Sequence, residues 1–168
     1  RYWEVEVRLS NLTLADGEKV ALTISGGVIQ AIEKASSAGD VDMEGLIALP
    51  GFVDLHTHLR EPGFESSETV LTGSKAAASG GYTAVFAMAN TQPVADNAGV
   101  VTQVYELGQK AGLVEVRPIG SVTKGLEGKE LSALGSMVNS KARVKIFSDD
   151  GHCVSDAALM KTAMEYLK

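Results

Sequence analysis

The chain of 168 residues has one cysteine, Cys153, so neither an intrachain disulfide framework nor a cysteine-based zinc site is available to it. A single thiol fits a reducing cytoplasm, the expected location. It has no run of five or more lysines and arginines, and its 15 basic residues against 21 acidic ones leave a net charge of -6. Nucleic acid and anionic membrane surfaces are therefore disfavoured as partners. No apolar stretch approaches the roughly 20 residues needed to span a bilayer, and no signal peptide opens the sequence. A G-x-G-x-x-G fingerprint after a strand is also missing, which removes the usual dinucleotide site.

What is present is a soluble, globular composition, 45% apolar, arranged in two grammars. From Trp3 to Val28 the pattern is strand-like. "YWEVEVRLSNLTL" alternates, "ADGEK" holds an Asp-Gly turn, and "VALTISGGVIQAI" is broken by a Gly-Gly pair. Residues 1–44 read as a small all-β segment, with "SSAGD" at 36–40 as a loop. "GLIALPGFVDLH" then reads as one strand buried on both faces. From residue 45 to 168 strands and helices alternate. "SSETVLTGSKAAASGG" is a helix with Glu65, Ser66 and Glu68 at its start and Gly80 and Gly81 at its end, and "YTAVFAMAN" is a strand. "NAGVVTQVYELGQKAG" and "LVEVRPIGSV" repeat the pair, as do "GKELSALGSMVNS" and "ARVKIFSDD", and "SDAALMKTAMEYLK" opens one more helix. Such alternation implies α/β architecture with a parallel sheet, open or closed into a barrel. The chain begins at Arg1 without a methionine and stops within a helix, so a piece of a longer protein is expected.

The chemistry gathers where strands end. In "VDLHTHLREPG" His56 and His58 are two residues apart, so on a strand both imidazoles aim to one side while Leu55 and Thr57 face away. Two neutral imidazoles suit Zn²⁺ or a similar divalent ion, and the rest of its shell is best supplied by carboxylate. "FSDDG" offers two, one expected to cap a turn and the other to meet the metal. Arg60 offers a bidentate fork to a carboxylate, against the plainer reading of a salt bridge with Glu61 or Glu65. His152 is expected in a solvated loop, and Cys153 is expected to pack.

"LPGFVDLHTHLREPGFESSETVLTGSKAAASGGYTAVFAMANTQP" together with "FSDDG" resembles dihydroorotase of the class I type, in the amidohydrolase superfamily. "PGFVDLHTH" alone marks only the superfamily; "HLREPG", "NTQP" and "SDDG" carry the narrower likeness. The resemblance implies the N-terminal part of a TIM-type (β/α) barrel, preceded by a small segment of a β-sandwich that both chain ends build. It implies one or two zinc ions per full-length subunit and interconversion of N-carbamoyl-L-aspartate and L-dihydroorotate in pyrimidine (UMP) biosynthesis. His56, His58 and Asp150 match the metal ligands, with Asp150 as the bridging carboxylate, and His58, Arg60 and Asn90 match the substrate-binding residues. The general-base aspartate of that family has no counterpart in these residues and is expected in the C-terminal part. A homo-oligomer or an association with aspartate carbamoyltransferase would be the partnership. The sequence departs from the family at "MAN", where proline commonly precedes the asparagine and Ala89 leaves the backbone less rigid. Lys145 stands where hydantoinases and allantoinases carry a carboxylated lysine, and it is the rival bridge. Two other readings follow: a hydantoinase- or allantoinase-type cyclic amidase, and a catalytically silent dihydroorotase-like binding subunit.

Overall fold

A computed structural model describes residues 5–35 and 39–168, and divides the chain into two compact units, Arg1–Pro50 and Gly51–Lys168. The strand expectation at Trp3 and Glu4, and the loop expectation at Ser36, Ser37 and Ala38, lie outside the described residues.

In the first unit β1 (Val7–Leu14), β2 (Lys19–Ser25) and β3 (Val28–Lys34) form an antiparallel meander, joined by the Asp-Gly and Gly-Gly turns. Two short strands, β4 (Val41–Asp42) and β5 (Ile47–Ala48), run parallel to β1 on its other side. Alternation along β1 and β2 sends Leu12, Val20 and Leu22 into one small core. Val28, Ile29 and Ile32 of β3 stay exposed.

The second unit is built on three parallel strands in the order β6 (Phe52–Thr57), β7 (Tyr82–Ala87), β8 (Glu115–Pro118). Helix α1 (Val70–Ser79) connects the first pair and α2 (Ala98–Ala111) the second. α2 starts where the Asn97 side chain accepts from the Gly99 and Val100 N–H groups, and ends at Gly112 in the left-handed conformation. Its buried stripe is Val100, Val101, Val104 and Gly108. Val104 packs with Leu59, Val70, Val85 and Val116 against the sheet, while Val100 and Val101 join a second core with Val122, Leu134, Met137 and Val144. Each buried valine contributes at most about 1.5–3 kcal/mol. Gly108 lets the helix sit directly on β8, since a Cβ there would lie 2.5 Å from the Val116 Cβ. α4 (Ala157–Tyr166) is capped by Asp156. Among the described residues no helix is long and apolar enough to cross a membrane.

Several local expectations are corrected. "GLIALPGFVDLH" is not one buried strand: it breaks at Leu49-Pro50-Gly51 into β5 and β6, because proline has no N–H to continue a ladder. Among the described residues β6 has one strand neighbour, and Phe52, Val53 and Leu55 are 51–59% exposed. The cap of α1 lies at Thr69, in a reciprocal pair with Thr72, rather than among Glu65, Ser66 and Glu68. The third helix shrinks to α3 (Leu134–Val138), and its upstream Ser132 hydroxyl donates to the Ser121 carbonyl instead of capping. "ARVKIFSDD" forms no fourth ladder. It touches the sheet edge through one bridge, Gly120 with Phe147, in which the Gly120 N–H donates to Ile146 and the Ser148 N–H donates to Gly120. Pro118 lacks the donor a longer ladder needs, and Arg143 at φ 48° turns the segment out of extended backbone. Cys153 is exposed, in the loop between Asp150 and α4 where Val154, not the cysteine, turns toward the core.

Candidate metal centre

β6 carries His56 near its C-terminal end, and His58 follows one residue beyond it. The two Nε2 atoms lie 3.3 Å apart, with the rings edge to face. Asp150 arrives from the loop after the bridged segment. Its Oδ1 is 3.4 Å from His56 Nε2, and its Oδ2 is 3.5 Å from His58 Nε2. Asn90, three residues after β7, lies between them: its side-chain oxygen meets His58 Nδ1 at 3.0 Å and its amide donates to Asp150 Oδ2 at 3.3 Å.

These contacts assign the His58 tautomer. Because the Asn90 oxygen can only accept, His58 Nδ1 carries a proton, and in the neutral ring that leaves the lone pair on Nε2. That lone pair faces a second imidazole and a carboxylate, an arrangement that needs a cation or a shared proton in its middle. The spacing suits a cation. A tetrahedral zinc ion with bonds of about 2.0–2.1 Å separates its ligand atoms by roughly 3.3–3.4 Å, close to the 3.3 Å between the two Nε2 atoms, and Asp150 sets one oxygen 3.4 Å from His56 and the other 3.5 Å from His58. Residues His56, His58 and Asp150 thus form a donor set that fits a divalent ion, with one ligand atom from each within 4.8 Å of the others. Asn90 supplies the hydrogen bond behind His58 that such sites use to orient a ligating ring.

The other candidate residues separate cleanly. Asp149 points away from the histidines, its carboxylate accepting from the Val122 and Thr123 N–H groups and from the Thr123 hydroxyl. Lys145 is exposed and lines a cavity of about 500 Å³ with Arg117, Arg143 and Phe86. His152 is exposed in the loop.

Arg60 sits two residues beyond His58 at φ 61°, a left-handed conformation that costs a non-glycine residue about 1–2 kcal/mol. The surrounding turn holds it there. The Phe64 N–H donates to the Arg60 carbonyl, Glu61 accepts from the Val70 N–H at the start of α1, and Glu65 accepts from the Gly63 N–H. This last bond, followed by one from its own N–H, holds the Glu65 carboxyl below the usual range. With Glu61 and Glu65 so engaged, the Arg60 guanidinium forms no ion pair among the described residues. Backbone strain beside an unpaired cation is a common feature of ligand clamps.

Sequence reasoning did not anticipate how the Arg60 turn is tied to the Asn90 loop. The Gln92 N–H donates to the Pro62 carbonyl at 2.9 Å, and Gly63, at φ 102°, lies so close that a Cβ would fall 2.2 Å from the Gln92 carbonyl oxygen. The signal was in the chain, since both residues belong to the motifs "REPG" and "NTQP", but only the fold pairs them. Ala89, in place of the expected proline, is fully buried, and its carbonyl accepts from both Thr91 and Ala95.

The sequence model of a family described as dihydro-orotase-like matches residues 45–168. A dihydroorotase of Leifsonia xyli subsp. xyli is 61% identical over 163 residues, covering 95% of this chain and 37% of the relative. One of Mycobacterium tuberculosis is 52% identical, covering 90% and 36%. The chain therefore spans little more than a third of the length of these relatives. Among solved structures, the L-hydantoinase (dihydropyrimidinase) from Arthrobacter aurescens superposes with a TM-score of 0.67 at 22% identity, over 84% of this chain and 32% of that one. This is a likeness of fold alone. The dihydropyrimidinase from Brevibacillus agri NCHU1002 gives 0.52 at 25% identity, over 71% and 28%.

Proposed function

The chain belongs to the dihydro-orotase-like family, and from that premise we propose that the full-length protein is a zinc-dependent dihydroorotase, interconverting N-carbamoyl-L-aspartate and L-dihydroorotate in pyrimidine biosynthesis. Residues 51–168 are then the opening part of a (β/α) barrel. The parallel β6-β7-β8 order with helical crossovers supports this, as does the unpaired, apolar edge of β6, where a closing strand would pair. The small unit is part of a sandwich whose remaining strands would cover Val28, Ile29 and Ile32.

The observation that carries the reading is the convergence of His56, His58 and Asp150, one ligand atom of each lying within 4.8 Å of the others and the two Nε2 atoms 3.3 Å apart. A zinc ion held there supplies Lewis acidity, polarising an amide carbonyl and lowering the pKa of water. Hydrolysis adds water across the ring amide: the C–N bond breaks, the carbonyl carbon becomes a carboxylate and the nitrogen takes a proton. Arg60 receives the ring carboxylate of the substrate through two parallel N–H bonds, a role supported by its place two residues after His58 and by a guanidinium that forms no ion pair among the described residues. Asn90 has a second amide hydrogen beyond the one given to Asp150, and it joins Arg60 in orienting that carboxylate. Moving the proton requires another acid-base group. The carboxylates beside the ligands are engaged, Asp149 by three donors and Asp54 by the His56 N–H, so the base comes from outside these residues.

Lys145 belongs to a different cavity, which favours Asp150 over a lysine-bridged, hydantoinase-type centre. The test combines substrate and clamp. Full-length protein should hydrolyse dihydroorotate and act poorly on dihydrouracil, which lacks the ring carboxylate. Arg60→Lys keeps the charge but loses the fork, costing about 1.5–3 kcal/mol, a roughly ten- to hundredfold rise in KM for dihydroorotate. Equal turnover of both substrates, with KM unchanged in the variant, would replace this reading with the hydantoinase type.

A further inference from the structure

The two carboxylates of "SDDG" do different work, and we infer that Asp149 is the positioning residue that sets Asp150 against the two histidines. This rests on the metal-centre reading above. Asp150 comes from a segment that the sheet barely holds, since among the described residues only the Gly120–Phe147 bridge ties it to the strand edge. Its neighbour supplies the missing anchor. Asp149 is 7% exposed, and its Oδ1 accepts from Val122 N–H at 2.7 Å and from Thr123 N–H at 3.0 Å. Its Oδ2 accepts from the Thr123 hydroxyl, itself fully buried. The same hydroxyl accepts from the Gly128 N–H at 2.9 Å, so its one proton is committed to Asp149.

The anchors lie in the stretch just after β8, whereas the histidines lie at the end of β6 and Asn90 follows β7. Asp149 thus fastens the Asp150 loop to the third strand end while Asp150 reaches toward the first. The turn is closed by the His152 N–H, which donates to the Asp149 carbonyl at 2.8 Å. Three charge-assisted bonds to a buried carboxylate fix the backbone from which the next side chain departs. A metal ligand must be held to within about 0.5 Å of its working position, which a single bridge does not ensure. Residues that orient a ligand from behind typically control metal affinity by roughly 10- to 100-fold.

The test is Zn²⁺ titration of the full-length protein against a competing chelator, at a temperature where circular dichroism shows every variant folded, with the Tm of the metal-free form recorded. Asp149→Ala should bind Zn²⁺ about 10- to 100-fold more weakly. Thr123→Val should weaken it in the same direction, and Thr123→Ser, which restores the hydroxyl, should return it to the parent value. Val144→Ala removes core volume from the same segment without touching these bonds. It should lower Tm while leaving the Zn²⁺ affinity within about threefold, well below the 10- to 100-fold loss expected for an orienting residue. Asp149→Ala with unchanged Zn²⁺ affinity would reduce Asp149 to a turn cap and overturn the inference. So would a Val144→Ala loss as large as that of Asp149→Ala. If Asp149→Ala does not fold, the Thr123 pair decides, and a Thr123→Val variant that binds like the parent overturns the inference. Normal Zn²⁺ binding by Asp150→Ala would instead overturn the metal-centre reading beneath it.

Discussion

Full-length protein carrying His58→Ala is expected to lose its metal, retaining less than about a hundredth of the parent's Zn²⁺ affinity. The change removes one of three converging ligand atoms and empties the place where Asn90 ends, so the amide that also donates to Asp150 loses its second partner. Loss of a ligand together with its orienting bond exceeds the 10- to 100-fold typical of losing an orienting residue alone. His56→Ala should also lower metal content, by a smaller factor, since His56 has no such ring partner behind it among the described residues. Metal analysis after gel filtration reads both. Normal occupancy in both single variants would remove the histidines from the centre.

Residues 1–168 expressed alone should form no detectable carbamoyl aspartate from dihydroorotate, in contrast to the full-length protein. They hold the His56, His58 and Asp150 donor atoms and Arg60, but the carboxylates beside them, Asp149 and Asp54, already accept hydrogen bonds, and loss of one acid-base partner typically costs a factor of about 10²–10⁴. The exposed Phe52, Val53 and Leu55 on the open edge of β6 add a tendency to associate. Zn²⁺ should still bind, weakly. Turnover within about tenfold of the full-length control would show that the base lies among these residues, contrary to the account.

Much of the site was legible because it depends on local spacing. The i, i+2 histidines need only a strand end to converge, and β6 provides one. The helix limits of α2 were equally readable, from Asn97 and Gly112, because caps are decided within one turn of the chain. What spacing could not show was anything set by distant partners. Whether Asp149 or Asp150 faces the two histidines depends on Thr123, which lies 26 residues before Asp149. The link from His58 through Asn90 to Asp150 spans three strand-end segments, and the sequence placed Asn90 only with the substrate. The apolar pattern of "ARVKIF" suggested a strand and does bury Val144, yet ladder formation was decided by Pro118 on the neighbouring edge. Cys153 was expected to pack on its residue type alone, and its loop left it outside.

The central claim is that one divalent ion is held jointly by His56, His58 and Asp150. Diffraction from crystals of the full-length protein grown with Zn²⁺, recorded on both sides of the zinc absorption edge, tests it most directly. The account predicts an anomalous peak at about 2.0–2.2 Å from both Nε2 atoms and from an Asp150 oxygen, with Asp149 still bound to Thr123. A peak beside Lys145 or Asp149, or none near the two histidines, would contradict it.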